Sequence, residues 1–373
     1  MFPPTQSTET TSRKQQASRR ARNAICGGLL LLILVQVPFV WWIETRGIDL
    51  VDPEFGLRLQ AYQRIASADP DQTLVVIGSS RTDAAIDTDL LYQPIAEGGL
   101  GVPAVNISIS GGMSVAQHLL LRRLAHYGPP PRRVLLEVFP AALLGIEAEY
   151  FSPEFQFLPQ RLRHCDLAVM DDLFPKDASR HRARWWRNHA LFPLNTHGLS
   201  FWNSVFPLFQ TEDLLRCAPH WRRHMRTTGH TPWPVKHPTE KQRANGRRIS
   251  TDGYAKLLGD CQPDPRPVEI YRQTLWWCHT HDIEVVALVL MPESPWFREM
   301  YSEESWQHTR DVVAELGREF AVPVIDTRTW IDDEESFIDG HHLLPSATRD
   351  FTLRLWSECL RPTPGDAGEM QPK

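Results

Sequence analysis

The segment Leu74-Val75-Val76-Ile77 is an unbroken run of four apolar residues that stops abruptly at Gly78-Ser79-Ser80. A strand with no polar face must be covered on both sides, as it is in a parallel sheet flanked by helices. A buried strand ending in Gly-Ser-Ser delivers a hydroxyl to the carboxyl edge of such a sheet, where open α/β sheets bind their ligands. The same three residues also make an ordinary strand-to-helix cap. The stretch therefore marks a place in the fold before it marks a chemistry.

The surrounding pattern repeats the theme. Leu57, Ala61 and Ile65 recur at helical spacing ahead of the first strand. Val102–Ser110 reads as a second strand ending in Gly111-Gly112, and Ser114 as the cap of a helix carrying Val115, Leu119, Leu120 and Leu124. Arg133–Pro140 holds a third strand. Residues 141–264 then show no strand alternation and are rich in Trp, Arg, His and Pro, as in Arg180–Arg187 and Trp221-Arg222-Arg223-His224. Within them Thr227–Ser250 reads as a polar loop. The α/β pattern resumes with a helix near Val268–His281, a strand Ile283–Met291, a helix near Glu304–Phe320 and a strand Val322–Asp326. Ser346 is placed to cap a last helix reaching about Leu360, and residues 361–373 read as a disordered tail. Strand and helix in this alternation mean a parallel sheet with right-handed crossovers. The core divides into 44–140 and 265–360, with 141–264 a large, mostly helical or irregular insertion.

Ahead of the core, residues 1–23 are polar and carry Arg13, Lys14, Arg19, Arg20 and Arg22. Residues 24–43 contain no charge and close on Trp41-Trp42. Some twenty residues at ~1.5 Å each span a ~30 Å hydrocarbon core. The cations put the amino terminus in the cytoplasm, and the remaining chain outside it, periplasmic or extracellular. The run is too long for a signal-peptide core and no small-x-small cleavage site follows it, so a single retained anchor is expected. A net charge of -5 gives no overall pull toward nucleic acid. Mixed Arg and Trp in the insertion suits arginine–aromatic packing, or a site for an anionic or sugar polymer, on an outward-facing domain. The six cysteines form no Cys-x-x-Cys pair, which argues against a structural zinc site. Outside the apolar run five remain, enough for at most two disulfides.

Far from Ser80, Asp339-Gly340-His341-His342-Leu343 precedes the last helix. An imidazole there can take a serine proton while the carboxylate fixes its tautomer. With Gly78-Ser79-Ser80, Asn106-Ile-Ser-Ile-Ser-Gly111 and Asp339-x-x-His342-Leu343 in this order, the chain resembles the SGNH/GDSL hydrolase family in its membrane-anchored branch, which includes polysaccharide O-acetyltransferase- and acetylesterase-like proteins. The resemblance covers roughly Leu74–Pro140 and Val268–Leu360, not the insertion. It implies a flavodoxin-like three-layer α/β/α sandwich on a five-stranded parallel sheet. It also implies Ser80 as nucleophile, His342 as base and Asp339 as its orienting acid, with the N–H groups of Ser80 and Gly111 receiving the oxyanion. Ser79 stands where Asp is usual. Some relatives use Asp-x-His, which would select His341, whereas Leu343 and the helix start favour His342. The family's amide after strand three is missing, because Phe139-Pro140-Ala141-Ala142 stands there. Asn188, Asn195 or Asn203 of the insertion could replace it.

Arg81, Asn106 and His341 are further candidates for contact with substrate, with Arg81 equally suited to pairing an acid. Glu137 is expected as a structural partner of Arg81 or Arg133. The resemblance implies an esterase or O-acyltransferase acting on acyl esters of cell-surface glycans, with no metal or organic cofactor. It also implies a multispanning membrane acyltransferase as partner. Two alternatives stand beside it. One is a non-catalytic module of the same type that binds polysaccharide or scaffolds an envelope complex. The other is an anchored binding protein that works through its Trp/Arg insertion.

Overall fold

The computed structural model describes residues 7–45, 47–144, 162–187 and 223–360. Helix α1 (Ser7–Thr45) contains a 30-residue stretch, Gln16–Thr45, within which an 18-residue window reaches a mean hydropathy of 2.3. It is long and apolar enough to cross a membrane. Its leucines do not enter a core, since Leu31 is 64% exposed. A short helix α2 (Ile48–Val51) leads to α3 (Pro53–Ala66), which opens with Pro at its first turn and Asp52 accepting from the Phe55 N–H. The end of α1 is tied to the domain by Arg163, which donates to the Ile48 and Ile43 carbonyls.

The sheet has five parallel strands: β1 (Leu74–Ile77), β2 (Ala104–Asn106), β3 (Arg133–Glu137), β4 (Glu284–Leu290) and β5 (Val324–Asp326), in the order β2-β1-β3-β4-β5. Val76 stands opposite Asn106 on one side and Leu135 on the other, so β1 is an interior strand, paired along both edges. Alternate side chains feed two apolar clusters. Val75, Ile77, Val134 and Leu136 pack with Phe55 and Leu59 of α3, with Leu120 and Leu124 of α6 (Ser114–Tyr127), and with Tyr271 and Leu316. Leu74, Val76, Leu135 and Val289 pack with Ala85, Phe351 and Leu355. Both sides of β1 are thus covered, as its unbroken apolar run requires. Truncating a side chain such as Leu135, which is fully buried, to Ala costs about 2–5 kcal/mol.

Short helices follow the strands: α4 (Ser80–Ala85) after β1, α5 (Thr88–Tyr92), and α7 (Pro140–Leu143) after β3. The described part of the insertion holds α8 (Asp166–Leu173), α9 (Ala178–Trp185) and α10 (Glu240–Gly259). The chain returns through α11 (Pro265–Thr280), β4, α12 (Pro295–Arg298), α13 (Glu303–Phe320), β5 and α14 (Pro345–Leu355).

Several expectations are corrected. Residues 227–250 are not one polar loop: α10 begins at Glu240, because Thr239 and Gln242 form a reciprocal capping box. The second strand is three residues rather than nine; beyond it the Asn106 carboxamide accepts the Ser108 N–H, while the Ile107 and Ile109 N–H groups still donate to the Val76 and Gly78 carbonyls. Ser114 and Ser346 lie inside their helices. Met113 and Leu344 occupy the cap positions, with Pro345 as the first residue of α14. The five described cysteines, Cys26, Cys165, Cys261, Cys278 and Cys359, are free thiols. Cys217, Asn188, Asn195, Asn203, Trp221, Arg222 and the tail 361–373 lie outside the described residues.

Candidate active site

Ser80 owes its position to the turn before it. A side chain on Gly78 would come within 2.3 Å of Thr82 Oγ1 and 2.5 Å of Glu137 Oε2, so only glycine lets β1 close this tightly onto α4. Ser79 is extended, accepts from the Arg81 N–H at 3.2 Å, and so caps α4, leaving Ser80 as the first helical residue. Beneath the turn, the Glu137 carboxylate at the end of β3 accepts from the Ser79 N–H (2.6 Å), the Ser79 hydroxyl (3.0 Å) and the Thr82 hydroxyl (2.6 Å). Glu137 is the floor on which the serine turn rests.

Arg81 points into this floor, away from solvent. It faces Glu137 at 3.9 Å, binds Glu293 at 3.1 Å and the Met291 carbonyl at 3.1 Å, and lies over the Phe139 ring. Only 2% of it is exposed, and of its two expected roles the contacts seen are those of acid pairing. Arg133 pairs with Glu284 instead.

Opposite Ser80 stands a loop whose shape follows from Gly340. Its φ of +87° is open to glycine, and a Cβ there would strike Trp296 at 2.5 Å. The Ile338 N–H donates to the His342 carbonyl across this turn. Asp339 is thereby folded back onto the two histidines. Its Oδ1 accepts the N–H groups of His342 (3.0 Å) and His341 (3.3 Å), and its Oδ2 lies 2.7 Å from His342 Nδ1. His342 Nε2 lies 2.7 Å from Ser80 Oγ. Because the carboxylate needs a donor, the proton belongs on Nδ1, and the Nε2 lone pair accepts from the Ser80 hydroxyl. Burial by itself would raise the Asp339 carboxyl. The imidazoles of His341 and His342 and the N–H donors reverse this and hold it well below the usual carboxylate range.

His341 takes a different place. Its ring packs against Phe297 and Tyr254, with Nδ1 3.4 Å from Ser250 Oγ and 3.5 Å from Asp339 Oδ1. Burial pushes its imidazole down to about 3, so it is neutral. Between the two candidate histidines, it is His342 that meets the serine. Asp339, His341 and His342 also place donor atoms within 4.8 Å of one another, close enough for a metal ion. Both nitrogens of His342 are engaged by Asp339 and Ser80, so the arrangement as it stands is a hydrogen-bonded relay.

Gly111 sits beside the serine turn. The Ile109 N–H donates to the Gly78 carbonyl, and Gly112 approaches so closely that a Cβ would lie 2.3 Å from that oxygen. Gly111 itself has φ +69° and is exposed. Among the described residues neither its N–H nor that of Ser80 has a protein acceptor. Two such donors near a serine can receive a developing oxyanion. Asn106, expected as a substrate contact, is fully buried, its carboxamide bonded to the Ser108 N–H and, at 3.5 Å, to the Ile86 carbonyl.

One residue of the site escaped the sequence reading. Trp233 stacks on the His342 ring, with centroids 4.7 Å apart and planes 28° from parallel. It comes from a proline-flanked stretch, Pro232-Trp233-Pro234, inside the presumed polar loop, and no spacing rule joins it to position 342. No family model matches the chain, and no curated protein matches it.

Proposed function

We propose that the protein is a membrane-anchored serine esterase or O-acyltransferase of SGNH type acting on acyl esters of cell-surface glycans. The observation that carries this reading is the continuous relay from Ser80 Oγ through His342 to Asp339, with 2.7 Å at each step. In the first half-reaction Ser80 Oγ attacks the ester carbonyl while His342 Nε2 takes its proton. The oxyanion rests on the N–H groups of Ser80 and Gly111. When the tetrahedral species collapses, the C–O bond to the sugar breaks and the departing oxygen takes the proton from Nε2, leaving an acyl-serine. Water or another sugar hydroxyl then repeats the sequence in reverse, giving up its proton to His342 as it attacks.

The layering that accompanies this reading is a flavodoxin-like three-layer sandwich, supported by the two apolar clusters on alternate side chains of β1. The anchor would be α1, with the amino terminus cytoplasmic and the domain periplasmic or extracellular. A multispanning membrane acyltransferase is the partner that would supply acyl groups. One observation favours a second reading, a non-catalytic polysaccharide-binding module. Strand three is followed by Phe139-Pro140 with no amide, and losing one oxyanion donor costs on the order of 10²–10³ in rate.

The test is reaction with a fluorophosphonate. Labelling of the full chain in detergent that vanishes in Ser80→Ala supports the enzyme. Folded wild-type protein that takes no label supports the binding module.

A further inference from the structure

The returning end of the insertion is built into the site as a strap. Its turn is closed by the Arg226 N–H on the His230 carbonyl and the Gly229 N–H on the Arg226 carbonyl. Gly229, with φ +84°, is needed there because a Cβ would lie 2.3 Å from the Asn106 carbonyl. Thr228 is buried. Its carbonyl accepts the Asn106 N–H, so the strap covers the open edge of β2, and its hydroxyl meets that of Thr88 at 2.8 Å.

The strap is also fastened to the helix that carries the serine. Arg58 of α3 donates to the Gly229 carbonyl (3.0 Å) and the Thr231 hydroxyl (3.3 Å), and pairs with Glu54 (3.1 Å) and Asp83 (2.5 Å). Asp83, three residues past Ser80 on α4, accepts the Thr231 N–H at 3.0 Å. Glu54 in turn accepts the Ser110 N–H and hydroxyl beside Gly111. One buried cluster therefore sets the serine helix, the Gly111 loop and the strap together. Two residues beyond Thr231, the strap lays Trp233 on His342.

The His342 ring needs such a partner. It is hinged at its Cβ, and Asp339 holds one edge. Facing it are Asp339, Ser80, the neutral His341 ring at 4.3 Å and Trp233. An indole face attracts a cation, and the ring becomes a cation when it holds the serine proton.

We propose that Trp233 is a positioning residue: its indole holds the His342 imidazole in the plane that joins Ser80 to Asp339 and favours the charged ring formed during reaction. Its effect on rate rests on the esterase reading; its effect on the ring does not.

The test uses the full chain in detergent, with Trp233→Phe as the conservative variant and Trp233→Leu and Trp233→Met as non-aromatic ones. Two quantities are read: the second-order rate of Ser80 with a fluorophosphonate, and the proton resonance of the His342 Nδ1–H bonded to Asp339. The expected result is a rate reduced about tenfold in the Leu and Met variants, with that resonance broadened, and both restored toward wild type in the Phe variant. Leu and Met variants that keep the wild-type rate and a sharp resonance would overturn the proposal. So would a Phe variant as impaired as Leu. If wild-type protein takes no label, the esterase reading fails, and the resonance alone decides whether Trp233 sets the ring.

Discussion

His342 Nε2 lies 2.7 Å from Ser80 Oγ, although 262 residues separate the two in the chain. The pair is completed by Asp339 on the other ring nitrogen. Asp339→Asn would keep the shape of the loop but favour the opposite tautomer of His342, with the proton facing the serine. The rate of fluorophosphonate reaction should fall by a factor on the order of 10³–10⁴. A fall of less than tenfold would show that the carboxylate does not direct the ring.

The two adjacent histidines should separate sharply. His342→Gln is expected to be as damaging as Asp339→Asn. His341→Gln, which removes a neutral ring packed on Phe297 and Tyr254, should cost less than about tenfold in the same assay. The reverse ranking would hand the base to His341.

Glu137 supports the serine turn. Glu137→Ala would leave the Ser79 N–H and the Ser79 and Thr82 hydroxyls without their acceptor and deprive Arg81 of one of its two buried acids. The expected loss of stability is about 3–5 kcal/mol, read from urea unfolding. Glu137→Gln, which keeps an acceptor, should lose less.

Acid should destabilise the fold through its buried histidines. Burial pushes His118 to about 3, His230 to about 4 and His341 to about 3, so all three stay neutral in the folded chain at pH values where the unfolded chain is protonated. Their contribution is fully present above about pH 6.5, the unfolded value, and is lost as pH falls toward 4. Asp83 works the other way. Burial, offset by Arg58, raises its carboxyl to about 7, so its contribution is present at low pH and lost as pH rises from about 4 to 7. With three groups against one, the melting temperature should drop between pH 6.5 and 4, and His230→Gln should flatten that drop.

Much of the frame was legible in the chain because it depends on local pattern. The run Leu74–Ile77 with its Gly-Ser-Ser stop, the alternation of later strands and helices, and the Asp-Gly-His-His turn all carry their structure in short stretches. Helix starts are less legible where proline or an apolar residue fills the cap position, as at Met113 and Leu344-Pro345. The capping box at Thr239 and Gln242 is itself a short-range signal that marks the start of α10. Trp233 was beyond reach for a different reason. Its place depends on Arg58, Gly229 and Asp83 meeting across more than 140 residues, and no periodicity records such a meeting. Arg81 and Asn106 misled in the same way, since a polar side chain near a motif does not reveal which way it points.

The bond from Arg58 to Gly229 joins positions 171 residues apart. Chain growth runs from the amino end, so when the serine turn and its neighbouring helix leave the ribosome, neither the strap nor the last loop has yet been made. Until position 342 follows, Ser80 lacks its imidazole partner, and until position 229 follows, Arg58 lacks its strap carbonyl. The contact between Ser80 and His342 can therefore form only in molecules synthesised nearly to the end.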